Sequence, residues 1–417
     1  GIYRHQRDEA IRESNRAEMV SSILTEAFRS ADPSRNDGEK LSARDVMRQA
    51  RLAVSRHEEL DPSTRAQLLL TLSDVHSSLG LDLDARDLAQ AAWDTTADAD
   101  QKWEASFRLA ESEFDSGDAA KAKQRALELL QEPEIDPGRL IRLRLLQLDI
   151  EGQLNQVDVT ALAEEVYREA RRQLAAGDEL INGAALAYAT RLVSDPKTAA
   201  QGAELIRERL GQSDQGVATP QRWNLLRLAA RAERNLGNPA QSVEYAFRSL
   251  RMAERLYGTE HAVYVIAQTG YAISLSNAGR LSESRSEYAQ ALERAERVYG
   301  HDSVMVALLA NNIGSVSMRE PMDLPQALKM TAMAVEIGPR VMPADSRQMA
   351  YFWNGRAAAL LLAPDATAAD ALNAAESASR ISRASAEISG PLLAEAELLA
   401  AVAQSRMGEH EAAAERV

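Results

Sequence analysis

The sequence predicts an all-α protein built as a solenoid of stacked helix pairs, and three observations support this fold class. Apolar residues recur at three- to four-residue steps almost throughout the chain, as Trp223, Leu226 and Ala230 do within 221–236, and this spacing forms one face of an α-helix. No segment shows the sustained two-residue alternation, rich in Val, Ile and Thr, that is typical of strands. The third observation is a motif that returns at a near-constant interval.

Helix boundaries are marked by capping residues and by glycines. A capping side chain stands directly before a proline, the residue favoured at the first helical position, at four places: Asp61-Pro62, Asp136-Pro137, Thr219-Pro220 and Asn238-Pro239. Glycines that follow the last apolar residue of a helical stripe predict the helix ends, and they are Gly80, Gly117, Gly237, Gly279 and Gly408.

The repeated motif has a period of 42 to 43 residues. Leu256-Tyr257-Gly258 returns 42 residues later as Val298-Tyr299-Gly300, and Val341-Met342-Pro343 follows 43 residues after that. A fixed period of paired helices indicates a solenoid, because one pair cannot bury its own apolar face. The predicted pairs are 63–95, 101–131, 138–176, 178–210, 220–257, 261–299, 303–338 and 345–386, with a ninth that begins near Gly390.

Small residues recur where adjacent helices would cross closely. In the first helices of the pairs they are Ala110, Ala230 and Ala272, and in the second helices Ala85, Ala92, Ala122, Ser242, Ser249, Ser284, Ala291, Ala327 and Ala334. With these residues the units resemble tetratricopeptide repeats, in the longer form similar to that of kinesin light chains, most strongly over 220–362. The resemblance implies a right-handed superhelical solenoid in which the first helix of each pair lines a concave, partner-binding surface.

The N-terminal segment differs from the repeats. Residues 3–29 predict one helix, charged at first and apolar towards Phe28, followed by Ala31-Asp-Pro33 and a second helix that starts at Leu41-Ser-Ala-Arg-Asp45. This pattern resembles the segment that joins the transmembrane helix to the repeats in bacterial receptor-type serine/threonine kinases. The division implied is an N-terminal connecting helix and capping helix over 1–60, and a repeat array over 61–417.

The kinase resemblance also implies a place in the cell and a mode of action. The chain would be the periplasmic sensor of a kinase anchored in the inner membrane by a span outside this sequence, and the 3–29 helix would shift or dimerise to transmit partner binding, which makes a homodimer a further hypothesis. The alternative is a cytoplasmic tetratricopeptide scaffold or adaptor, in which residues 3–29 simply cap the array.

Composition and missing motifs exclude several functions. With 48 Lys and Arg against 62 Asp and Glu, the net charge of −14 argues against nucleic-acid binding. No run of about 18 apolar residues predicts a membrane span. The chain has no Cys and no histidine pair at metal-ligand spacing, so we expect no metal and no cofactor. Kinase motifs and phosphate-binding loops are absent from the chain, so it is predicted not to be an enzyme, and the resemblance places the kinase in the parent protein. An enzyme would require a buried ionisable cluster at the concave surface.

The candidate partner-binding residues lie on predicted first helices. Arg227, Arg231 and Arg234 are spaced four and three residues apart and share one helix face. The same register selects Thr269 and Asn277 in the next pair and Asn312 in the one after, and Asn311 and Asn354 are equivalent positions 43 residues apart. Arginine binds carboxylates and asparagine binds peptide groups, so we expect a protein or peptide ligand that is acidic and extended.

Two alternatives to this site stay open. The arginines could form a solvated face balanced by Glu233 and Glu244, and the asparagines could make helix-end and inter-helix hydrogen bonds. Further upstream, Asp74 and Glu111 occupy the same inward register. The predicted groove therefore changes from acidic to basic along the chain.

Overall fold

The computed structural model describes residues 51–52, 54, 60–78, 82–132, 134–155, 158–212, 217–384 and 390–416, and these ranges contain eighteen helices and no strand. The helices are α1 (Pro62–Ser78), α2 (Asp82–Thr95), α3 (Ala99–Asp115), α4 (Ala119–Leu129), α5 (Pro137–Asn155), α6 (Thr160–Gln173), α7 (Glu179–Ser194), α8 (Ala199–Gln212), α9 (Pro220–Asn235), α10 (Pro239–Tyr257), α11 (Ala262–Asn277), α12 (Leu281–Tyr299), α13 (Val304–Ser317), α14 (Leu324–Val341), α15 (Arg347–Leu362), α16 (Ala368–Ala384), α17 (Gly390–Arg406) and α18 (His410–Arg416). They form nine consecutive pairs at the predicted places. The predicted segment 1–60 lies almost wholly outside the described residues.

The chain divides into two compact units at Ala187 and Tyr188, within α7. In unit 1, the first helix α3 contacts the first helices α1 and α5; in unit 2, α9 contacts α11, and α15 contacts both α13 and α17. Successive second helices do not pack together to this extent in the described parts of either unit. The first helices therefore form the inner layer of each unit.

The small residues lie where the two helices of a pair meet, as their recurrence predicts. All twelve are buried, with at most 6% of their surface exposed. Two of the serines also bond across the pair, since Ser242 Oγ donates to the carbonyl of Ala230 at 2.9 Å and Ser284 Oγ donates to that of Ala272 at 2.8 Å. A buried hydroxyl is tolerated at these positions because it has an acceptor.

Most predicted helix boundaries are confirmed. Asp61, Asp136 and Thr219 accept hydrogen bonds from backbone N–H groups of the first helical turn. The side chain of Asn238 does not cap α10; its Nδ2 donates instead to Glu233 Oε2 at 2.8 Å, across the turn from the preceding helix. Gly237 and Gly279 end their helices with φ of +77° at each, a conformation that favours glycine. Gly80 lies outside the described residues.

In the described residues, no helix is both long enough and apolar enough to cross a bilayer.

Candidate partner-binding surface

One stripe of each first helix is left open by the packing. A first helix contacts second helices on one side and its neighbours in the inner layer on its flanks. The side chains that stay accessible point away from the second helices, and we call this the inner face. In α9 the positions ten, six and three residues before Gly237 are accessible, and they hold Arg227, Arg231 and Arg234. Arg227 and Arg231 are exposed and Arg234 is half-buried, so the structure brings the three predicted arginines together on one accessible surface.

These three arginines have polar neighbours but, within the described residues, no carboxylate partner. Arg227 Nη2 donates to Asn224 Oδ1 at 3.3 Å, and its guanidinium lies 5.4 Å from the ring centre of Trp223. Arg231 Nη2 donates to Ser194 Oγ at 3.2 Å. Partial desolvation by the surrounding helices lowers the pKa of Arg227 and of Arg234, although Arg227 is largely accessible, and the positive charge of Arg231 lowers both further. The fold thus holds three like charges together without neutralising them.

The acidic residues proposed as a balance to the stripe lie elsewhere. Glu233 is buried, accepts from Asn238 and lies 3.6 Å from Arg207, while Glu244 lies 3.9 Å from Arg248 on its own helix. Glu233 is also the one carboxylate in the helices α9, α11, α13 and α15 together. The second helices α10 and α12 carry six. The inner face of this part of unit 2 therefore offers no carboxylate to the arginines.

The neighbouring first helices place the predicted polar residues at different depths. Thr269 is half-buried and donates to the carbonyl of Val265 at 2.8 Å, and the exposed Asn277 donates to that of Ile273 at 2.8 Å. Asn312 is half-buried. Both Thr269 and Asn277 belong to α11, which contacts α9. They adjoin the basic stripe, with side chains that bond within their own helix.

Asn311 and Asn354 lie inside the helix packing, each with 1% of its surface exposed. The Nδ2 of Asn354 donates to the carbonyl of Leu392 at 3.1 Å and to Glu395 Oε2 at 3.2 Å, which joins α15 to α17. Asn311 packs against Gly355, where a Cβ atom would lie 2.4 Å from its Oδ1. Asn354 therefore makes the inter-helix hydrogen bonds that were the alternative to partner binding. Neither Asn311 nor Asn354 is part of the accessible surface.

The sequence analysis did not single out Arg319, which extends the basic surface. Its Nη1 donates to the carbonyl of Ser276 at 2.7 Å and to the Oγ of the same residue at 2.9 Å. Ser276 stands three residues before Gly279, the same register as Arg234 before Gly237. Arg319 stands 42 residues after Asn277, so the repeat period marks it as the equivalent position in the next pair.

The inner face of unit 1 is charged as well, but its charges pair with one another. Arg108 binds both oxygens of Asp74, contacts Glu104 at 2.8 Å and reaches Glu111 at 3.3 Å, and Arg142 binds both oxygens of Glu104 at 2.8 Å. A cavity of about 650 Å³ lies beside this network, lined by Asp74, Arg108, Glu111 and Arg142 among others. Asp74 and Glu111 are therefore on the inner face, as their register predicts.

The network predicts that Glu104 stabilises unit 1 in a pH-dependent way. Burial alone would raise the pKa of Glu104, but the hydrogen bond from Arg142 and the charges of Arg108 and Arg142 hold this pKa below its ordinary value. A lowered folded-state pKa adds stability that is present above the unfolded pKa, about 4.3, and is lost as pH falls through the folded value. We expect Glu104→Gln to lower the free energy of unfolding by about 1–3 kcal/mol at pH 7 and by less below pH 4, as measured by urea denaturation.

Glu111→Gln is the matched control for this experiment. Burial, followed by the charges of Glu104 and Asp74, raises the pKa of Glu111 against the opposing effect of Arg108 and Arg142. Its negative charge therefore opposes folding at neutral pH, and removing that charge should not reduce stability. A loss of stability at pH 7 as large as that of Glu104→Gln would contradict this account of the network.

Metal-binding geometry is not found in the described ranges, where no three His, Cys, Asp or Glu side chains lie close enough to share an ion. His261, which the repeat places at an inter-helix junction, accepts the Val263 N–H at 3.1 Å and so caps α11.

Two solved structures resemble the chain over most of its length. RapI in its apo form is 15% identical, with a TM-score of 0.56 over 76% of this chain and 85% of that one. A Signal Transduction ATPase with Numerous Domains from Pyrococcus horikoshii, described as having a tetratricopeptide repeat sensor, is 13% identical, with a TM-score of 0.51 over 83% of this chain and 54% of that one. The fold is that of a tetratricopeptide-like array.

This confirms the predicted all-α class and the helical-repeat architecture. No protein-family model matches the chain, and no curated protein matches it.

Proposed function

We propose that this chain is a non-catalytic binding module that holds an acidic segment of a protein or peptide against the inner face of unit 2. The observation that carries this proposal is the stripe of Arg227, Arg231 and Arg234, which has no carboxylate partner in the described residues and lies beside first helices without an exposed carboxylate. Guanidinium groups bind carboxylates through two parallel hydrogen bonds. An acidic ligand would supply carboxylate partners for these three arginines.

The contrast with unit 1 supports this assignment. There, Arg108 pairs with Asp74 of a neighbouring helix and with Glu104 of its own, and Arg142 pairs with Glu104 of a neighbouring helix. An incoming anion would have to displace these carboxylates. On α9 an anion meets guanidinium groups bonded to neutral oxygens of Asn224 and Ser194. Exchanging a neutral acceptor for a charged one is favourable, since charge-assisted hydrogen bonds are roughly twice as strong as neutral ones.

The test is a binding measurement with a fluorescein-labelled peptide of twelve residues in which Asp and Glu alternate with Gly and Ser. Its control is the same peptide with Asn and Gln in place of the acids. We expect the acidic peptide to bind more tightly, and the triple variant Arg227→Ala, Arg231→Ala and Arg234→Ala to lose at least tenfold in affinity, because about 1.4 kcal/mol corresponds to a factor of ten and a hydrogen bond to a charged group contributes at least about that much.

A matched variant separates a specific surface from general charge. Arg248, Arg251 and Arg255 lie exposed on α10, the second helix of the same pair, and replacing all three by alanine changes the net charge by the same amount. This variant should bind within twofold of the unaltered protein. Equal losses in the two triple variants, or equal binding of the acidic and amide peptides, would reject the proposed site.

We propose further that the module is the periplasmic sensor of a membrane-anchored bacterial serine/threonine kinase. This rests on the resemblance of residues 3–60, which lie almost wholly outside the described residues. In the parent protein, a reporter that is active only in the periplasm, fused after Val417, should be active. Activity of a cytoplasmic reporter at that position would favour the scaffold or adaptor instead.

A further inference from the structure

At α17, the inner face of unit 2 carries exposed apolar residues in place of the arginines, with Glu395 on the same stripe. Leu398, Val402 and Ser405 stand ten, six and three residues before Gly408, the register that Arg227, Arg231 and Arg234 hold before Gly237. The two helix ends match in detail, with φ of +86° at Gly408 and +77° at Gly237. The N–H two residues beyond the C-cap residue closes each end, from Glu409 to the carbonyl of Gln404 at 3.0 Å and from Asn238 to that of Glu233 at 2.8 Å.

Large apolar side chains are accessible at this register and on the adjacent first helix. Leu398 is 55% exposed and Val402 is also exposed. On α15, which contacts α17, Tyr351 and Leu362 are exposed. The positions between them on the same stripe, Gly355 and Ala358, are small, and Asn311 packs against Gly355. Exposed apolar residues scattered singly need no explanation, but a cluster on one face indicates an interaction site.

The basic stripe and the apolar cluster both lie in the inner layer of unit 2, where α9 contacts α11, α13 contacts α15, α15 contacts α17, and Arg319 beyond the end of α13 bonds Ser276 of α11. They are separated by four steps in the inner layer, from α9 through α11, α13 and α15 to α17. Packed helices lie 8–10 Å apart, so the separation is roughly 32–40 Å. An extended chain advances about 3.3 Å per residue, and about 10–12 residues therefore span the distance.

We propose that the bound segment carries acidic residues for the α9 stripe and, about ten residues away in extended conformation, large apolar residues for the α15–α17 cluster. This inference rests on the proposed function and adds the second half of the recognition element. Charge complementarity at α9 and the inner layer that joins α9 to α17 favour one peptide segment that carries both chemistries.

The experiment compares four labelled peptides: an acidic block alone, an apolar block of Leu and Phe alone, the two blocks joined by an eight-residue Gly/Ser spacer, and the two blocks joined directly. We expect the spaced peptide to bind at least tenfold more tightly than the acidic block, and the directly joined peptide to gain less than threefold. Leu398→Ser and Val402→Ser should each reduce the gain, and should leave binding of the acidic block unchanged.

Leu127→Ser is the matched control, since Leu127 is an exposed leucine of α4 in unit 1, and this variant should retain the full gain. Far-UV circular dichroism and melting curves check that each variant is folded. Equal affinity of the spaced peptide and the acidic block would overturn this inference and leave the proposed function standing, whereas failure of the acidic block to bind would reject the proposed function itself. Concentration-dependent self-association of the unaltered protein that Leu398→Ser abolishes would show that the apolar cluster joins two copies, and would also overturn the inference.

Discussion

Phe352→Ala is expected to lower the free energy of unfolding of unit 2 by about 3–5 kcal/mol. Phe352 has none of its surface exposed, and it packs in the large core cluster with Met349, Ile337 and Leu309. Its removal costs the transfer of a large aromatic side chain and leaves a cavity that rigid helices cannot close. Urea denaturation followed by circular dichroism at 222 nm measures the loss.

The adjacent residue provides the control. Tyr351 is 39% exposed on the inner face, so Tyr351→Ala removes a side chain of similar size with less buried area, and should cost less than Phe352→Ala, about 1–2 kcal/mol. The difference between the two variants reports burial, because both substitutions are in α15 and change the helix propensity by nearly the same amount. Equal losses for the two variants would mean that α15 is rotated relative to the structure described here.

The second large effect is a pair of opposite changes at two helical glycines. A Cβ at Gly314, in α13, would lie 2.5 Å from Thr331 Cγ2 and 3.3 Å from the Thr331 backbone nitrogen. Gly314→Ala should therefore destabilise unit 2 by about 1–3 kcal/mol through overpacking. At Gly270, in α11, a Cβ would meet nothing within 4 Å. Gly270→Ala should stabilise by about 0.5–1 kcal/mol, because alanine is the better helix former.

Urea denaturation measures the free energy of unfolding of both alanine variants. The prediction is that this free energy falls for Gly314→Ala and rises for Gly270→Ala. The substitution is chemically identical and both sites are first helices of adjacent pairs, so propensity alone would stabilise both. Stabilisation by Gly314→Ala would show that α13 and α14 do not approach as closely as the contact with Thr331 requires.

The sequence predicts the helix pairs and their close-packed positions well, because period and side-chain size carry that information directly. Ser242, Ser284 and Ala272 are small because a neighbouring helix passes close to each of them. Their small size is visible in the sequence without knowing which residues they contact. The accessible arginine stripe follows from spacing and from the position of Gly237. These features depend on local order along the chain.

How deeply a side chain is buried, and which charged side chain it pairs with, depend on other helices. The sequence does not predict these two properties. A constant offset of 42 residues carries Thr269 to Asn311, yet Asn311 is buried while Thr269 is only half-buried. The helix α13 also ends at Ser317, two residues before the position equivalent to Asn277. The pairing of Arg108 is local only in part: Glu104 and Glu111 lie four and three residues away on its own helix, but Asp74 reaches it from α1, 34 residues earlier.

The crowded guanidinium groups of α9 would also link occupancy of the proposed site to the stability of the surrounding helices. Like charges held in place by packing raise the free energy of the empty state, and burial of Arg227 and Arg234 adds to it. A bound carboxylate relieves that repulsion only in the folded form, so its binding free energy is added to the stability of the surrounding helices. Unit 2 should therefore unfold at a higher urea concentration with the proposed ligand bound than without it, and its stability would report that the ligand has arrived.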